Sequence, residues 1–239
     1  MIYINEEKIS KIKLEEDNFF VAIDFDKTIT ARKSCDSWGT CESVLGEEFT
    51  RKTELICQKY APIELNYEIS FDEKNKAMEE WYYSNMQLFY DYHLTKAQLE
   101  ESIENSTIIF RDGAKEFLKD MFKRNIPVVI LSAGIGNVIE LFLKKNNCYT
   151  DNIYIISNFI KFDNVGNMNK PDVELIHTLN KTMKNHITPE FEEKISKRKY
   201  RLLLGDFIED KNMISKEEWD ETIAIRILRY KCSTKSGDI

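Results

Sequence analysis

The chain has little of what marks a secreted, membrane-spanning or nucleic-acid-binding protein. Its five cysteines, at positions 35, 41, 57, 148 and 232, are odd in number and no two have CxxC spacing. That argues against a disulfide framework and against a structural zinc site. No apolar run approaches the roughly 18 residues of a membrane span, and the opening MIYINEEKISKIKLEED carries no signal-peptide core. Positive charge is in deficit: 34 Lys and Arg stand against 41 Asp and Glu, a formal net charge of −7. Duplex nucleic acid needs a basic surface to release its counterions, which makes it a poor partner for this chain. A small anionic ligand stays compatible, because it needs only a local positive site or a bound cation. Internal repeats and low-complexity linkers are also missing. The expectation is a cytoplasmic protein, monomeric or weakly dimeric, that binds neither membrane nor nucleic acid.

What is present is enough apolar sequence for a core, 42% of 239 residues, and a length that suits one domain with a smaller insertion. Five buried-type runs read as strands: 19–25 (FFVAIDF), 126–131 (IPVVIL), 152–159, 200–204 and 222–228. Apolar residues at helical spacing occupy 114–124 and 137–147. Strand and helix in alternation imply an α/β fold, a Rossmann-like parallel sheet with right-handed crossovers. The stretch 34–105 differs, with three helical segments near 42–59, 71–90 and 95–105 and no convincing strand. It reads as an inserted helical cap, leaving 1–33 and 106–239 as the α/β core. In open parallel sheets the ligand crevice lies at the carboxyl ends of the strands, which such a cap would cover.

Three strands end in chemistry. The first runs into Asp24-Phe25-Asp26-Lys27-Thr28, the second into Ser132-Ala133-Gly134, and the fourth into Gly205-Asp206, with Asp210 a turn further on. Aspartates directly after apolar strands are costly to bury unpaired. Carboxylates at i and i+2, joined by a third from another strand, point to a hard cation such as magnesium. The cation would offset the charge of a phosphate monoester and orient its oxygens. Asp24 could then attack phosphorus, and Asp26 could protonate the leaving oxygen and later deprotonate water. Thr28 and Ser132 could donate hydroxyl hydrogen bonds to the phosphoryl group, and a lysine should offset negative charge there. A lone DxD often does no more than cap a loop or a helix; the combination of DxDxT, a strand-end serine and GD followed by Asp210 is far more specific.

This pattern resembles the haloacid dehalogenase superfamily: DFDKTIT matches its first motif, the serine of SAGIGN its second, and GDFIED its fourth. The segments EEWYYSNMQLF, LSAGIGNVIE, IISNFIKFD, ELIHTLNK and LLLGD are similar to the cytosolic pyrimidine 5'-nucleotidases, the type III cytosolic 5'-nucleotidase family, in order from about position 17 to 230. The resemblance implies a magnesium-dependent phosphatase that hydrolyses nucleoside monophosphates, such as UMP or CMP, through an aspartyl-phosphate. It implies metal ligation by Asp24, Asp26, Asp206 and Asp210, and a phosphate site of Thr28, Ser132, Ala133 and Lys181. Lys181 ends ELIHTLNK, where the family carries its lysine; Lys170, in GNMNKPD, is the competing candidate. Glu64 of PIE and Trp81 or Tyr82 of EWYY fall where the family holds the nucleobase. Two departures stand out: Glu209 replaces a family glycine, and the stretch between DFDKTIT and Cys57 follows the family poorly. Other readings are a phosphatase of a phosphosugar or phosphoserine-like metabolite, a phosphorylation-receiver module, and a dehalogenase. A receiver needs no leaving-group acid, and Asp26 with Thr28 suits phosphorus better than carbon. His177 reads as structural within a helical apolar segment, and 192–201 as a solvated helix face.

Overall fold

The computed structural model describes residues 2–3, 11–172 and 174–227. Six strands form one sheet in the order β1-β6-β5-β2-β3-β4: β1 (Ile2–Tyr3), β2 (Phe19–Ile23), β3 (Val128–Ile135), β4 (Ile153–Asn158), β5 (Tyr200–Gly205) and β6 (Thr222–Ile227). β2 through β6 are mutually parallel, and β1 adds antiparallel to β6. The five expected strands are therefore present, with Leu228 outside the described residues. The antiparallel β1 was not expected.

Parallel strands covered on both faces read as continuous apolar runs, and β2 and β3 are buried along their whole length. Alternate residues of β2 serve opposite faces. Phe19, Val21 and Ile23 join the larger core cluster with Val128 and Ile130, whereas Phe20 and Ala22 join the smaller with Val129, Leu131 and Phe191. β2 has β3 on one side and β5 on the other. Its carboxyl end is thus the point where the strand order reverses, where open sheets hold ligands.

Between β2 and β3 lie α1 (Glu47–Glu64), α2 (Phe71–Asp91) and α3 (Lys96–Asn105), then α4 (Ala114–Lys123); α5 (Gly136–Lys145) and α6 (Pro189–Ile195) follow β3 and β4. Capping boxes start α2, between Ser70 and Glu73, and α3, between Thr95 and Gln98. Phe49, Met86, Leu88, Phe89 and Leu99 of these helices share the larger core cluster with the sheet. The first helix differs from the expectation of 42–59. A single turn, Glu42–Leu45, stops at Gly46, whose φ of 87° breaks the run before α1 begins.

Two further expectations are corrected. The segment around His177 is not helical, because side chains capture its backbone groups. Asn158 Oδ1 accepts from Ile176 N–H at 2.8 Å, Asn180 Oδ1 accepts from His177 N–H at 2.7 Å, and Asn180 Nδ2 donates to Leu175 O at 2.9 Å. The run 192–201 is not one helix face either, since α6 ends at Ile195 and Arg201 lies in β5, donating to Glu221 and Glu218. No helix among the described residues is long and apolar enough to cross a membrane. Cys35, Cys41, Cys57 and Cys148 are free thiols, and Cys232 lies outside the described residues.

Candidate active site

Asp24 leaves β2 with its N–H still donating to Leu204 O of β5, 3.0 Å away. The chain then coils through 25–29, where Lys27 takes the left-handed conformation (φ 64°) that a side chain disfavours. Surrounding bonds hold it there: Lys27 N–H donates to Thr30 Oγ1 at 2.8 Å, and Arg111 donates to Thr28 O at 2.9 Å and also to Lys27 O. The path presents Asp26 to the crevice and turns Thr28 into the protein. Thr28 is buried, its Oγ1 has no hydrogen-bond partner among the described residues, and it does not line the cavity.

The end of β3 is irregular. Pairing with β4 shifts register between Leu131 and Ile135, so Ser132, Ala133 and Gly134 oppose a single partner residue and bulge at the strand end. Ser132 Oγ accepts from Gly134 N–H at 3.0 Å. Beyond β5, Asp206 is followed by a tight turn, Ile208–Met213, in which Asp210 Oδ2 accepts from Phe207 N–H at 2.9 Å. Only a glycine fits at 205, because a Cβ there would lie 2.4 Å from Asp210 Oδ2.

The irregular segment after His177 delivers Lys181 to these carboxylates. Its buried ammonium lies 2.7 Å from Asp24 Oδ1 and 2.7 Å from Asp210 Oδ1. Lys170, by contrast, is exposed. Carboxylate oxygens of Asp24, Asp206 and Asp210 all lie within 4.8 Å of one another. Lys181 thus bridges two of these three crowded, buried carboxylates. Burial, then the Asp210 and Asp206 carboxylates, push Asp24 up to about 7 against the opposing pull of Lys181. Burial, then Asp36 and Asp24, push Asp26 up to about 8. Burial disfavours the Lys181 charge, but Asp210 and Asp24 outweigh it and hold the ammonium above its ordinary range. An all-oxygen donor set of three closely spaced carboxylates fits a hard divalent cation.

A cavity of about 390 Å³ opens over this cluster. Asp24, Asp26, Ser132, Ala133, Lys181, Asp206 and Asp210 line its floor, and Glu64, Trp81 and Tyr82 belong to the same lining. Glu64 ends α1, and Trp81 and Tyr82 lie in α2. Sequence reasoning missed Trp38, whose ring stacks on Phe89 (6.0 Å, 5°), meets Tyr82 edge-on (5.6 Å, 87°) and donates through Nε1 to Ala133 O at 3.2 Å. It also missed Ser37, bonded to both oxygens of Asp26. Neither belongs to a motif that sequence alone displays.

The sequence profile described as Pyrimidine 5'-nucleotidase (UMPH-1) matches residues 27–234. A Xenopus laevis protein, 7-methylguanosine phosphate-specific 5'-nucleotidase A, is 30% identical over 216 residues, covering 87% of this chain and 74% of its own. Among solved structures, cytosolic 5'-nucleotidase IIIB bound to cytidine superposes with a TM-score of 0.78 at 23% identity, covering 95% of this chain and 88% of its own. A substrate-bound phosphoserine phosphatase complex shares the fold at a TM-score of 0.55 and 18% identity, covering 84% and 82% of the two chains.

Proposed function

Since the chain belongs to the pyrimidine 5'-nucleotidase (UMPH-1) family, phosphoric monoester hydrolases of the haloacid dehalogenase type, we propose that it hydrolyses nucleoside 5'-monophosphates to nucleoside and phosphate. The observation that carries this reading is one cavity lined both by the Asp24, Asp206 and Asp210 carboxylates with Lys181 and by Trp38, Trp81, Tyr82 and Glu64. An ester with a flat, hydrogen-bonding leaving group spans both.

Asp24, Asp206 and Asp210, with the Asp26 backbone carbonyl, would hold magnesium. The ion supplies charge compensation for the phosphoryl oxygens. Lys181 fixes the Asp24 carboxylate, offsets charge on the transferring group and keeps the cluster together. Asp24 attacks phosphorus, the ester P–O bond breaks, and the departing 5' oxygen takes a proton from Asp26. Asp26 then removes a proton from water, which displaces Asp24 and releases phosphate. Ser132 and the backbone at Ala133 hold the phosphoryl oxygens at the end of β3.

In this reading 34–105 is a specificity cap over a core of 1–33 and 106–239, acting in the cytoplasm as a monomer or weak dimer. Aromatic faces stack a base, and Glu64 accepts from its exocyclic amine. That lining favours bases with exocyclic amines, so among pyrimidines CMP stands above UMP. A second reading has a specific observation behind it: Asp36, Glu42, Glu54 and Glu64 all line the cavity. An acidic, aromatic enclosure also suits the cationic base of 7-methylguanosine monophosphate. Phosphate release from CMP, UMP, 7-methylguanosine monophosphate, sugar phosphates and phosphoserine, with magnesium present, tests the proposal. Turnover of a nucleotide above the other esters supports it; turnover of sugar phosphates or phosphoserine alone refutes the nucleotidase assignment.

A further inference from the structure

Asp26 does not stand free in the crevice; it is gripped from one side by a residue outside every motif. Ser37 is fully buried. Its N–H donates to Asp26 Oδ1 at 3.0 Å and its hydroxyl to Oδ2 at 2.8 Å. The same Oγ accepts from Ile135 N–H at 3.1 Å, and Thr40 Oγ1 donates to the Ser37 carbonyl at 2.8 Å. The next residue, Trp38, ties its indole N–H to Ala133 O. Two consecutive residues of the entry to the helical block are thus strapped across the bulge at the end of β3. The bulge is shaped for the strap: a Cβ at Gly134 would fall 2.0 Å from Ser37 Oγ and 2.8 Å from Asp26 Oδ2.

We propose that Ser37 is the positioning residue for Asp26, fixing both oxygens of the group that exchanges a proton with the leaving oxygen. The role rests on the phosphatase reading given above and deepens it. A hydroxyl carries one hydrogen and two lone pairs. Ile135 N–H engages one lone pair, which turns the hydrogen toward Asp26 Oδ2. With one lone pair on each oxygen held by Ser37, the carboxylate plane cannot rotate, and its remaining lone pairs face the cavity that Asp26 lines. Orientation of this kind is strongly rate-determining, since an error of about 1 Å in a reacting group costs on the order of a hundredfold. The arrangement also ties the acid to the helical block, because Ser37 lies on the segment leading from β2 into it.

The test compares two esters of unlike leaving groups. A ribose 5' oxygen needs a proton on leaving; p-nitrophenolate needs almost none. Ser37→Ala should lower kcat about ten- to a hundredfold on CMP or 7-methylguanosine monophosphate, whichever the wild type turns over, and less than about threefold on p-nitrophenyl phosphate. KM should stay near wild type. On an Asp26→Ala background the same change should have no further effect, because the group it positions is gone. Ser37→Cys, of similar size but a weaker donor, should give a smaller loss in the same direction, and it serves if the alanine variant does not fold. Equal losses on both esters, or a full additional loss on the Asp26→Ala background, would overturn the role of Ser37 while leaving the phosphatase reading standing. A wild type inert toward all of these esters would overturn the reading and the role together.

Discussion

The Lys181 ammonium touches the Asp24 carboxylate at 2.7 Å, both groups buried, across 157 positions of sequence. That contact joins β2 to the irregular segment after His177 and sets the charge balance of the crevice. With the ammonium removed, Asp24 and Asp210 lose the cation they share. Breaking one side of a buried ion pair costs about 3–5 kcal/mol. Lys181→Met should therefore lower the unfolding free energy of metal-free protein, read from the shift of its urea midpoint, by an amount in that range, and magnesium should restore part of it. An unchanged midpoint would mean the pair contributes nothing to the fold.

The acidic cluster gives a metal prediction that does not depend on turnover. Magnesium should raise the Tm of wild-type protein, since a ligand bound only by the folded state at about a hundred times its Kd contributes roughly 2.7 kcal/mol. EDTA should abolish both this shift and activity. Asp206→Ala should lose most of the shift. A variant that responds to magnesium as the wild type does would remove Asp206 from the ligand set.

The aromatic lining of the cavity should govern substrate choice and leave the chemistry alone. Stacking a base on an aromatic side chain is worth roughly 1–3 kcal/mol, about five- to more than a hundredfold in affinity. Trp81→Ala or Tyr82→Ala should raise KM for a nucleoside monophosphate within that span and leave p-nitrophenyl phosphate hydrolysis nearly unchanged. Circular dichroism should show intact helices. Parallel losses on both substrates would assign these rings to the core of the helical block.

His177 gives a pH signature. It is fully buried, its Nδ1 accepts from Leu179 N–H at 3.2 Å, and its Nε2 has no partner among the described residues. Burial lowers it from 6.5 to about 4. Between those values the unfolded chain holds a proton that the folded chain refuses, so stability falls as pH drops through that window. Across pH 6.5 to 4 the Tm of His177→Gln should decline less than that of the wild type. Superimposable slopes would show that His177 does not carry this linkage.

Much of the fold was legible because buried parallel strands announce themselves as apolar runs. The two-residue β1 did not, since its pairing exists only through β6. The helix expected around His177 failed because Asn158 and Asn180 supply local partners that compete with helical bonds. Asp24, Asp26, Ser132 and Asp206 could be proposed from strand ends alone, while Lys181 needed the family resemblance to be preferred over Lys170. Ser37 and Trp38 were not legible. Their bonds to Ile135 and Ala133 span 98 and 95 positions and depend on a loop path that no local pattern encodes.

We propose Asp24 as the nucleophile of a metal-assisted phosphatase. Phosphate release from a nucleoside monophosphate by Asp24→Asn, measured beside its thermal unfolding, tests it most directly. The amide keeps the shape of the carboxylate and cannot attack phosphorus, so the account predicts turnover at background in a protein that still unfolds cooperatively. Turnover near the wild-type rate would contradict it.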